Sequence, residues 1–418
     1  MRGSKIEYKQ TELGLIPVGW EVARLGEVAE INKESRDPTK ESTNHKFIYI
    51  DIDSVENETG VIRNAKEIIG KDAPSRARRV IHHNDILMST VRPYLKAFTI
   101  VPRYFHNQIC STGFAVLTCR DRIIPLYLFQ TLFTKSVLDQ CKKMMVGGQY
   151  PALSTSQVEN IRIPIPPLPE QNKIAEILET VDQGIEKVDQ AIKKTQKLKK
   201  GLMQDLLTKG IGHKEFKDTE IGRIPKEWEV VKLGEIIKYE KGKKPKILFD
   251  REEKNTLPYL SAETLRTGAF TQWGTENREL IKVNNDNVIL IWDGYYCGDS
   301  FIGFEGLLSS TMIKIEPKNQ NLNKRFLFYF LKACFKELNT KISGMYLKHV
   351  NKFILESQNL PLPPLHEQQK IAEILSGVDR RLELLRKRRE RLERVKKGLM
   401  EELLTGKVRV TKLINSET

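Results

Sequence analysis

The 418-residue sequence predicts two α/β (mixed α+β) domains separated by a long antiparallel two-helix coiled coil, in an internal tandem duplication with pseudo-two-fold symmetry. Two pairs of matching segments indicate the duplication. TELGLIPVGWEVARLGE at 11–27 returns as TEIGRIPKEWEVVKLGE at 219–235, and IPIPPLPEQNKIAEIL at 163–178 returns as LPLPPLHEQQKIAEIL at 360–375. Apolar residues at alternating spacings of four and three follow each second segment and predict the coiled coil.

A diverged block separates the matching segments within each half. The copies lie 208 residues apart at Trp20 and Trp228 but 197 residues apart at Pro164 and Pro361, so the second block is 11 residues shorter. Each block is long enough to bury its own core. The predicted parts are a first domain at 1–165, a first helix at 166–210, a second domain at 211–362, a second helix at 363–408 and a C-terminal tail at 409–418.

The two predicted helices begin after prolines, with an acidic residue in the first turn. The first extends over 38 residues from Glu170 to Leu207, or about 57 Å. A helix this long exposes its apolar seam unless a partner covers it, and the second copy is the obvious partner. An antiparallel pair is favoured because a parallel one would require the domain between the helices to span their full length. The seam residues are Ile174, Leu178, Val181, Ile185, Val188 and Ile192 in the first helix, and Ile371, Leu375, Val378, Leu382 and Leu385 in the second, where Arg389 then interrupts the seam.

The charge balance favours a polyanionic partner. Lys and Arg total 69 against 54 Asp and Glu, which gives a net charge of +15 and a pI near 9.4. Nucleic acid is such a partner, and a basic solvated surface is the alternative. The approximate two-fold axis of an antiparallel helix pair matches the dyads of duplex DNA. Because the sequence has no apolar run of membrane-spanning length and no secretory segment, we expect a cytoplasmic protein.

Catalytic motifs are missing from the sequence. The five cysteines show neither CxxC pairs nor histidines at metal-ligand spacing. There is no GxxxxGK[ST] motif for ATP and no persuasive glycine-rich turn for S-adenosylmethionine. Asp51 and Asp53 could serve as nuclease metal ligands, but a solvated strand edge or loop is the favoured interpretation. We therefore expect no enzymatic activity, no metal and no bound cofactor.

The two paired motifs resemble those of a known family, the specificity (S) subunits of Type I restriction–modification systems. The resemblance covers essentially the whole chain and rests on IPVGWEVARLGE with IPKEWEVVKLGE and on PPLPEQNKIAEIL with PPLHEQQKIAEIL, arranged around two diverged blocks. It implies two target recognition domains, each reading one half of an interrupted site in double-stranded DNA. It also implies a coiled coil that sets the spacer and docks two modification (methyltransferase) subunits.

The same resemblance implies a non-catalytic role. Restriction (translocase/endonuclease) subunits would join the complex, and S-adenosylmethionine, ATP and Mg would bind to the partner subunits. A nuclease or methyltransferase with its own active site is disfavoured by the missing motifs. The remaining alternative is a coiled-coil scaffold without sequence-specific DNA contact.

One segment of each diverged block can be aligned with the other and predicts a turn that contacts DNA. NDILMSTVRPYLKAF starts at Asn84, and DNVILIWDGYYCGDSF starts at Asp286. Each predicts a buried apolar strand followed by a polar and aromatic turn. Such side chains can stack on bases or bond to base edges, although aromatic residues at strand ends often belong to the core. The candidates are Arg92, Tyr94 and Lys96 in the first block and Tyr295 and Tyr296 in the second.

Further segments supply candidate DNA contacts, with a solvated or structural turn as the alternative for each. SRARRVIHH precedes the first of these strands, and YEKGKKPK offers flexible lysines that suit phosphates better than bases. VGGQYP and ISGMYLK share a Gly-x-Tyr core whose glycine would allow close approach of the backbone to a phosphate. The candidates are Arg76, Arg78, Arg79 and His82; Lys241, Lys243, Lys244 and Lys246; Gln149 and Tyr150; and Tyr346 and Lys348.

Overall fold

A computed structural model describes residues 7–41, 44–57, 59–145, 148, 151–338 and 349–414. The chain divides into two compact units, one of Met1–Val188 with Arg388–Thr418 and the other of Asp189–Lys387. Each unit contains the globular part of one half of the duplication, together with a portion of each of two long helices. Within the described residues, no helix combines the length and the apolar character that a membrane span requires.

The globular part of the first unit is built from short strands and helices. Its strands are β1 (Tyr8–Thr11), β2 (Gly14–Pro17), β3 (Glu21–Arg24), β4 (Ala29–Ile31), β5 (Lys46–Ile50), β6 (Lys66–Ile69), β7 (Ala77–Ile81), β8 (Ile86–Ser89), β9 (Phe98–Ile100), β10 (Gln108–Ser111), β11 (Phe114–Cys119) and β12 (Arg162–Ile165), and its helices are α1 (Leu25–Val28), α2 (Pro38–Glu41), α3 (Pro125–Leu132), α4 (Lys135–Met144) and α5 (Thr155–Glu159). One sheet has the order β6-β5-β10-β7 and the other β4-β11-β8-β9, while β1 pairs with β2 and β3 with β12.

Strand β8 lies between two hydrophobic cores. Its side chains alternate, so that Ile86 and Met88 pack in a core with Trp20, whereas Leu87 packs in a second core with Phe114. A strand buried on both faces needs a continuous apolar sequence, and Ile86, Leu87 and Met88 provide it. The predicted buried strand is thereby confirmed, and it holds the turn that follows it on a rigid base.

The second unit repeats this plan. Its strands are β13 (Phe216–Thr219), β14 (Gly222–Pro225), β15 (Glu229–Lys232), β16 (Ile237–Lys241), β17 (Leu248–Phe249), β18 (Thr256–Leu260), β19 (Trp273–Thr275), β20 (Lys282–Val283), β21 (Val288–Ile291), β22 (Ser300–Phe301), β23 (Gly306–Leu308), β24 (Met312–Pro317) and β25 (Asn359–Leu362), and its helices are α7 (Leu233–Ile236), α8 (Ala262–Thr267), α9 (Lys324–Leu338) and α10 (Lys352–Glu356). The sheets have the orders β16-β24-β21-β22 and β17-β19-β18-β23-β20. Among the described strands, each unit contains one parallel pair, β5 with β10 and β18 with β23.

The long helices are α6 (Leu168–Thr208) and α11 (Leu365–Leu403), and a short helix, α12 (Thr411–Ile414), follows the second. In the first unit, Leu178 near the start of α6 shares a core with Leu403 at the end of α11. In the second unit, Leu206 near the end of α6 shares a core with Ile371 near the start of α11. Within each unit the helices therefore run antiparallel. The predicted fold class, with its mixed α/β domains, coiled coil and duplication, is confirmed.

The repeated Glu-Gln pair joins each long helix to its own domain. Gln171 is fully buried: its Nε2 donates to the carbonyl oxygens of Pro166 and Arg122, and its Oε1 accepts from the backbone of Ile124. Gln368 makes the same three kinds of bond in the second unit. One side chain thus satisfies backbone groups both at the helix start and in a neighbouring loop, which explains why this residue is found in both copies.

The preceding glutamate binds the repeated tryptophan. Glu367 Oε2 accepts from the indole Nε1 of Trp228 at 2.9 Å, and Glu170 Oε2 accepts from Trp20 Nε1 at 3.4 Å. Both tryptophans are fully buried, and a buried indole N–H requires an acceptor. The two segments that are repeated far apart in the sequence are therefore partners in space.

Candidate nucleic-acid interface

The turn after β8 holds two of the predicted contact residues in an unusual backbone conformation. Arg92 (φ 47°, ψ 55°) and Lys96 (φ 59°, ψ 37°) are both left-handed and enclose the single helical turn Pro93–Leu95. This conformation costs a residue with a Cβ about 1–2 kcal/mol. The first unit therefore keeps two long basic side chains where glycine would be less strained. Residues 92–96 are called turn 1 below.

Turn 2, the counterpart of turn 1 in the second unit, runs from Gly294 to Gly298, whose φ angles are 105° and 93°. The same hydrogen bond closes both turns. Leu95 N donates to Arg92 O at 2.9 Å, and Cys297 N donates to Gly294 O at 3.1 Å. The two halves thus share the closing bond of this turn, while its side chains differ at every position except Tyr94 and Tyr296.

Each turn is bridged to the segment that ends its diverged block. Val91 forms an antiparallel bridge with Ala152, and Asp293 forms one with His349. These two bridge partners come shortly after the two Gly-x-Tyr motifs in the sequence. Four predicted contacts of those motifs lie outside the described residues and stay predictions: Gln149, Tyr150, Tyr346 and Lys348.

Turn 2 carries a small cluster of aromatic and charged side chains. Tyr295 is 84% exposed, and the ring of Tyr296 meets it edge-on with centroids 5.0 Å apart. The guanidinium carbon of Arg266 lies 3.6 Å from the centroid of the Tyr296 ring. Its Nη1 donates to Asp299 Oδ2 at 3.3 Å. In turn 1, the predicted contact Tyr94 is also exposed. Both turns therefore present aromatic rings that a nucleic acid could reach.

Of the four predicted lysines, the structure brings Lys241 to turn 2. Its Nζ lies 2.9 Å from Oδ2 of Asp293, the residue before the turn. Lys243, Lys244 and Lys246 follow β16 and are exposed. Exposed, flexible ammonium groups suit phosphate contact, which positions a protein on DNA without selecting bases.

The backbone of Arg76 bonds to a loop that also bonds to the segment before turn 1. Its side chain is exposed, and its carbonyl oxygen accepts from Thr112 N at 2.8 Å. Gly113, which follows Thr112, accepts through its carbonyl oxygen from the backbone N of Thr90 at 2.8 Å. Thr90 lies two residues before turn 1. The structure thus brings this predicted contact residue to the same part of the unit as Arg92.

The other three predicted residues of this segment have partners inside the unit. Arg78 Nη2 lies 3.4 Å from Asp37 Oδ1, Arg79 Nη1 donates to the carbonyl oxygen of Phe114, and His82 Nε2 lies 3.0 Å from Glu34 Oε2. Burial lowers the pKa of the Arg79 guanidinium. All three side chains are half-buried and brace the sheet around β7, and their contact with DNA stays a prediction.

The family model for the Type I restriction modification DNA specificity domain matches residues 17–196 and again residues 225–394. The chain belongs to this family. Each matched range covers one copy of the duplication, from shortly before the tryptophan to the distal part of the following long helix. The resemblance inferred from the paired motifs is confirmed.

Curated relatives of this specificity-domain chain include two from Methanocaldococcus jannaschii. The Type I restriction enzyme MjaVIII specificity subunit is 43% identical over 190 residues, an alignment that spans 46% of this chain and 45% of the relative. The putative type I restriction enzyme MjaX specificity subunit is 30% identical over 415 residues, which is 96% of this chain and 97% of the relative. The first match thus spans about half of each protein, and the second nearly all of both.

Solved structures show the same fold. A chain from a type I R-M system, solved to explain complex assembly and conformational transition, has a TM-score of 0.57 and 27% identity over 94% of this chain and 99% of its own length. The S subunit of a Type-I restriction-modification system from M. genitalium has a TM-score of 0.62 and 17% identity over 92% of this chain and 96% of its own. At that identity, the second comparison supports the fold alone.

One residue of this specificity-domain site escaped the sequence analysis. Arg266 lies at the end of α8, and 27 residues separate it from turn 2. Nothing in its local sequence marks it, because its partners Tyr296 and Asp299 are brought to it only by the fold. Aligning the sequences of the two diverged blocks from β5 and β18 onward would have drawn attention to it, since the first block has Glu56 at the corresponding sequence position.

Proposed function

We propose that this chain is the DNA sequence-recognition subunit of a Type I restriction–modification complex. Each globular domain reads one half of an interrupted, bipartite site in double-stranded DNA. The coiled coil sets the spacer between the half-sites and docks two modification (methyltransferase) subunits, and restriction subunits join through the complex.

The observation that carries this proposal is the contrast between turns 1 and 2. They share their position after a strand buried on both faces, their closing hydrogen bond and their bridge to the end of the block. Their side chains nevertheless differ at four of five positions: Arg92 and Lys96 of turn 1 correspond to glycines in turn 2, and the shared residue is the tyrosine at 94 and 296. A constant frame with different side chains is what a protein needs to read two different half-sites.

Charge supports a role in binding DNA. The net charge of +15 favours a polyanion, and Lys241 places a cation beside turn 2. Exposed lysines such as Lys244 supply affinity for phosphates and leave base selection to the turns. A coiled-coil scaffold without DNA contact would have no need for this division of labour.

We further propose that the chain catalyses nothing and binds no cofactor, and that S-adenosylmethionine, ATP and Mg act on the partner subunits. The absence of nucleotide-binding motifs from the sequence supports this proposal. Among the described residues, no group of three or more His, Cys, Asp or Glu side chains is placed to hold a metal ion.

Methylation mapping tests the proposed function. The modification subunit should methylate a bipartite site only together with this chain, and binding should weaken steeply as salt rises. Methylation of the same site without the chain would refute the role in recognition. Equal binding to every duplex in a randomised pool, by chain and modification subunits together, would favour the scaffold.

A further inference from the structure

Arg266 is held in one orientation by two contacts from the segment around turn 2. The Tyr296 ring stacks on its guanidinium group at 3.6 Å from centroid to carbon, and Asp299 accepts from Nη1 at 3.3 Å. The stack fixes the plane of the group, and the carboxylate fixes its rotation within that plane. The side chain is 41% exposed, so it is both oriented and accessible.

These contacts leave one edge of the guanidinium group available. Nε and Nη2 of Arg266 have no hydrogen-bond partner among the described residues. They form the side-on pair of parallel donors that arginine uses for bidentate recognition. As a surface ion pair, Arg266 with Asp299 contributes little to stability. Stability alone therefore does not explain why Arg266 is held by two contacts.

The first unit has an acidic residue at the corresponding position of the sequence, after a short 3-10 turn (Ile52–Ser54) where the second unit has α8. Tyr49 and Ile50 pair with strand β10 in the same parallel register as Tyr259 and Leu260 pair with β23, which aligns the two segments. Six residues beyond Ile50 and Leu260, the first unit has Glu56 and the second has Arg266. A residue that selects bases must differ between two domains that read different half-sites, and this position reverses its charge.

Guanine is the base that matches the available edge. In the major groove it presents two acceptors, O6 and N7, and a bidentate arginine is the commonest specific contact to it. We propose that Arg266 reads a guanine in the half-site of the second domain, and that Tyr296 and Asp299 are its positioning residues. This inference rests on the function proposed above and adds one base and one residue to it.

The test compares variants of the full chain, assembled with its modification subunits, by sequencing the duplexes selected from a randomised DNA pool. Arg266→Lys keeps the charge but loses the planar pair of donors, and should lower selection of one G·C pair by about 5- to 150-fold. Tyr296→Phe keeps the stacked ring and should preserve that selection. Tyr296→Leu removes the ring and should weaken it. Arg251→Ala, which breaks another arginine–carboxylate pair of the same unit, should change nothing.

Three outcomes would overturn the inference. One is unchanged selection by Arg266→Lys, another is the same loss with Tyr296→Phe as with Tyr296→Leu, and the third is uniform weakening over all sequences, as a phosphate contact would give. If a substitution at Arg266 unfolds the unit, Tyr296→Leu and Asp299→Asn are tested in its place. A wild-type complex that selects no sequence would instead refute the proposed function itself, so the two failures are distinct.

Discussion

Asp182 of α6 forms an ion pair with Lys396 of α11, with 2.6 Å between Oδ1 and Nζ. In the second unit, the duplicated residues Lys199 and Asp379 form the same pair with the roles of the helices exchanged. Each aspartate also accepts a bond from its own domain: Asp182 from Gln130 Nε2, and Asp379 from the Tyr329 hydroxyl, both at 2.8 Å. These half-buried pairs specify the antiparallel register and tie it to the domains.

Reversing the charge of Asp182 should destabilise the first unit. Asp182→Lys places a second ammonium group next to that of Lys396 at a half-buried site. We therefore expect a loss of about 1–3 kcal/mol in the free energy of unfolding. Adding Lys396→Asp should recover most of this loss. Urea unfolding measures both. Lys387→Glu, at the exposed pair with Glu383, is the control and should cost less than about 0.5 kcal/mol. No recovery in the double variant would contradict the proposed pairing.

The tail after α11 is part of the first unit. Arg409 donates to both carboxylate oxygens of Glu170, which raises the pKa of the arginine, and the Glu170 side chain is only 4% exposed. Among the described residues, Arg409→Ala leaves that buried carboxylate only the bond from Trp20, so we expect a loss of about 3 kcal/mol in the free energy of unfolding. Lys407→Ala breaks only an exposed pair with Glu401 and is the matched control. Equal urea midpoints of unfolding for Arg409→Ala and Lys407→Ala would contradict this account.

Local spacing in the sequence was enough to predict the helices and their seams, and chain connectivity favoured their antiparallel pairing. Leu178 and Leu375 lie in the predicted seams and are fully buried. Trp20 was recognised as part of a repeated motif, but its bond to Glu170 was not predicted, because the residues lie 150 positions apart. Long-range polar partners leave no periodic signal. The apolar seams do leave such a signal, because residues on one face of a helix recur at regular intervals in the sequence.

The candidate site was predicted less completely. Alignment of the diverged blocks located turns 1 and 2, because buried strands precede them. It did not distinguish Arg76, which is exposed, from Arg79, whose side chain donates to the Phe114 carbonyl. Both occur in one short basic segment. The alternation of side chains along the strand and the neighbouring loop decide which of the two is exposed. The left-handed conformation of Arg92 has no sequence signature either, since arginine seldom adopts it.

Replacing Arg92 with glycine should separate stability from DNA recognition. Arg92→Gly relieves the left-handed strain and should change stability by about 1 kcal/mol at most, in either direction, because glycine also gains freedom in the unfolded chain. It should abolish base selection at one position of one half-site, at a cost of about 1–3 kcal/mol. Asn84→Gly, at another left-handed residue of the same unit, should leave selection intact. Unchanged site preference in Arg92→Gly would show that turn 1 does not read bases.

Buried thiols should resist alkylation in the folded protein. Burial raises the pKa of the half-buried Cys119 and of the buried Cys141 to about 12 by disfavouring the charged thiolate. Because the thiolate is the reactive form, both should react about 1000-fold more slowly at pH 8 than a thiol of ordinary pKa, and faster as the pH rises. Iodoacetamide labelling followed by peptide mass analysis measures this, and urea-unfolded protein serves as the control. Rapid labelling of Cys141 at pH 8 would show that its helix, α4, opens readily.

Lengthening both long helices tests whether they set the spacer. The pairs Asp182–Lys396 and Lys199–Asp379 show that positions 190 and 387 lie at the same level along the antiparallel helices. One heptad inserted after residue 190 and one after residue 387 should therefore keep the seam and the antiparallel register. Each helix gains about 10 Å, close to three base-pair rises of 3.4 Å. Mapping of methylated sites should then show a changed spacer between unchanged half-sites, because no residue of turns 1 and 2 has been altered.

The size of that change tests a second constraint. Three base pairs turn B-DNA by roughly 100°, and a heptad insertion leaves the seam in phase, so the spacer that results can differ from a simple addition of three. An insertion in α6 alone is the control: it leaves the two pairs out of register and should abolish activity. An unchanged spacer in an active complex would show that the helices only dock partners. Altered half-sites would show instead that the helices take part in reading bases.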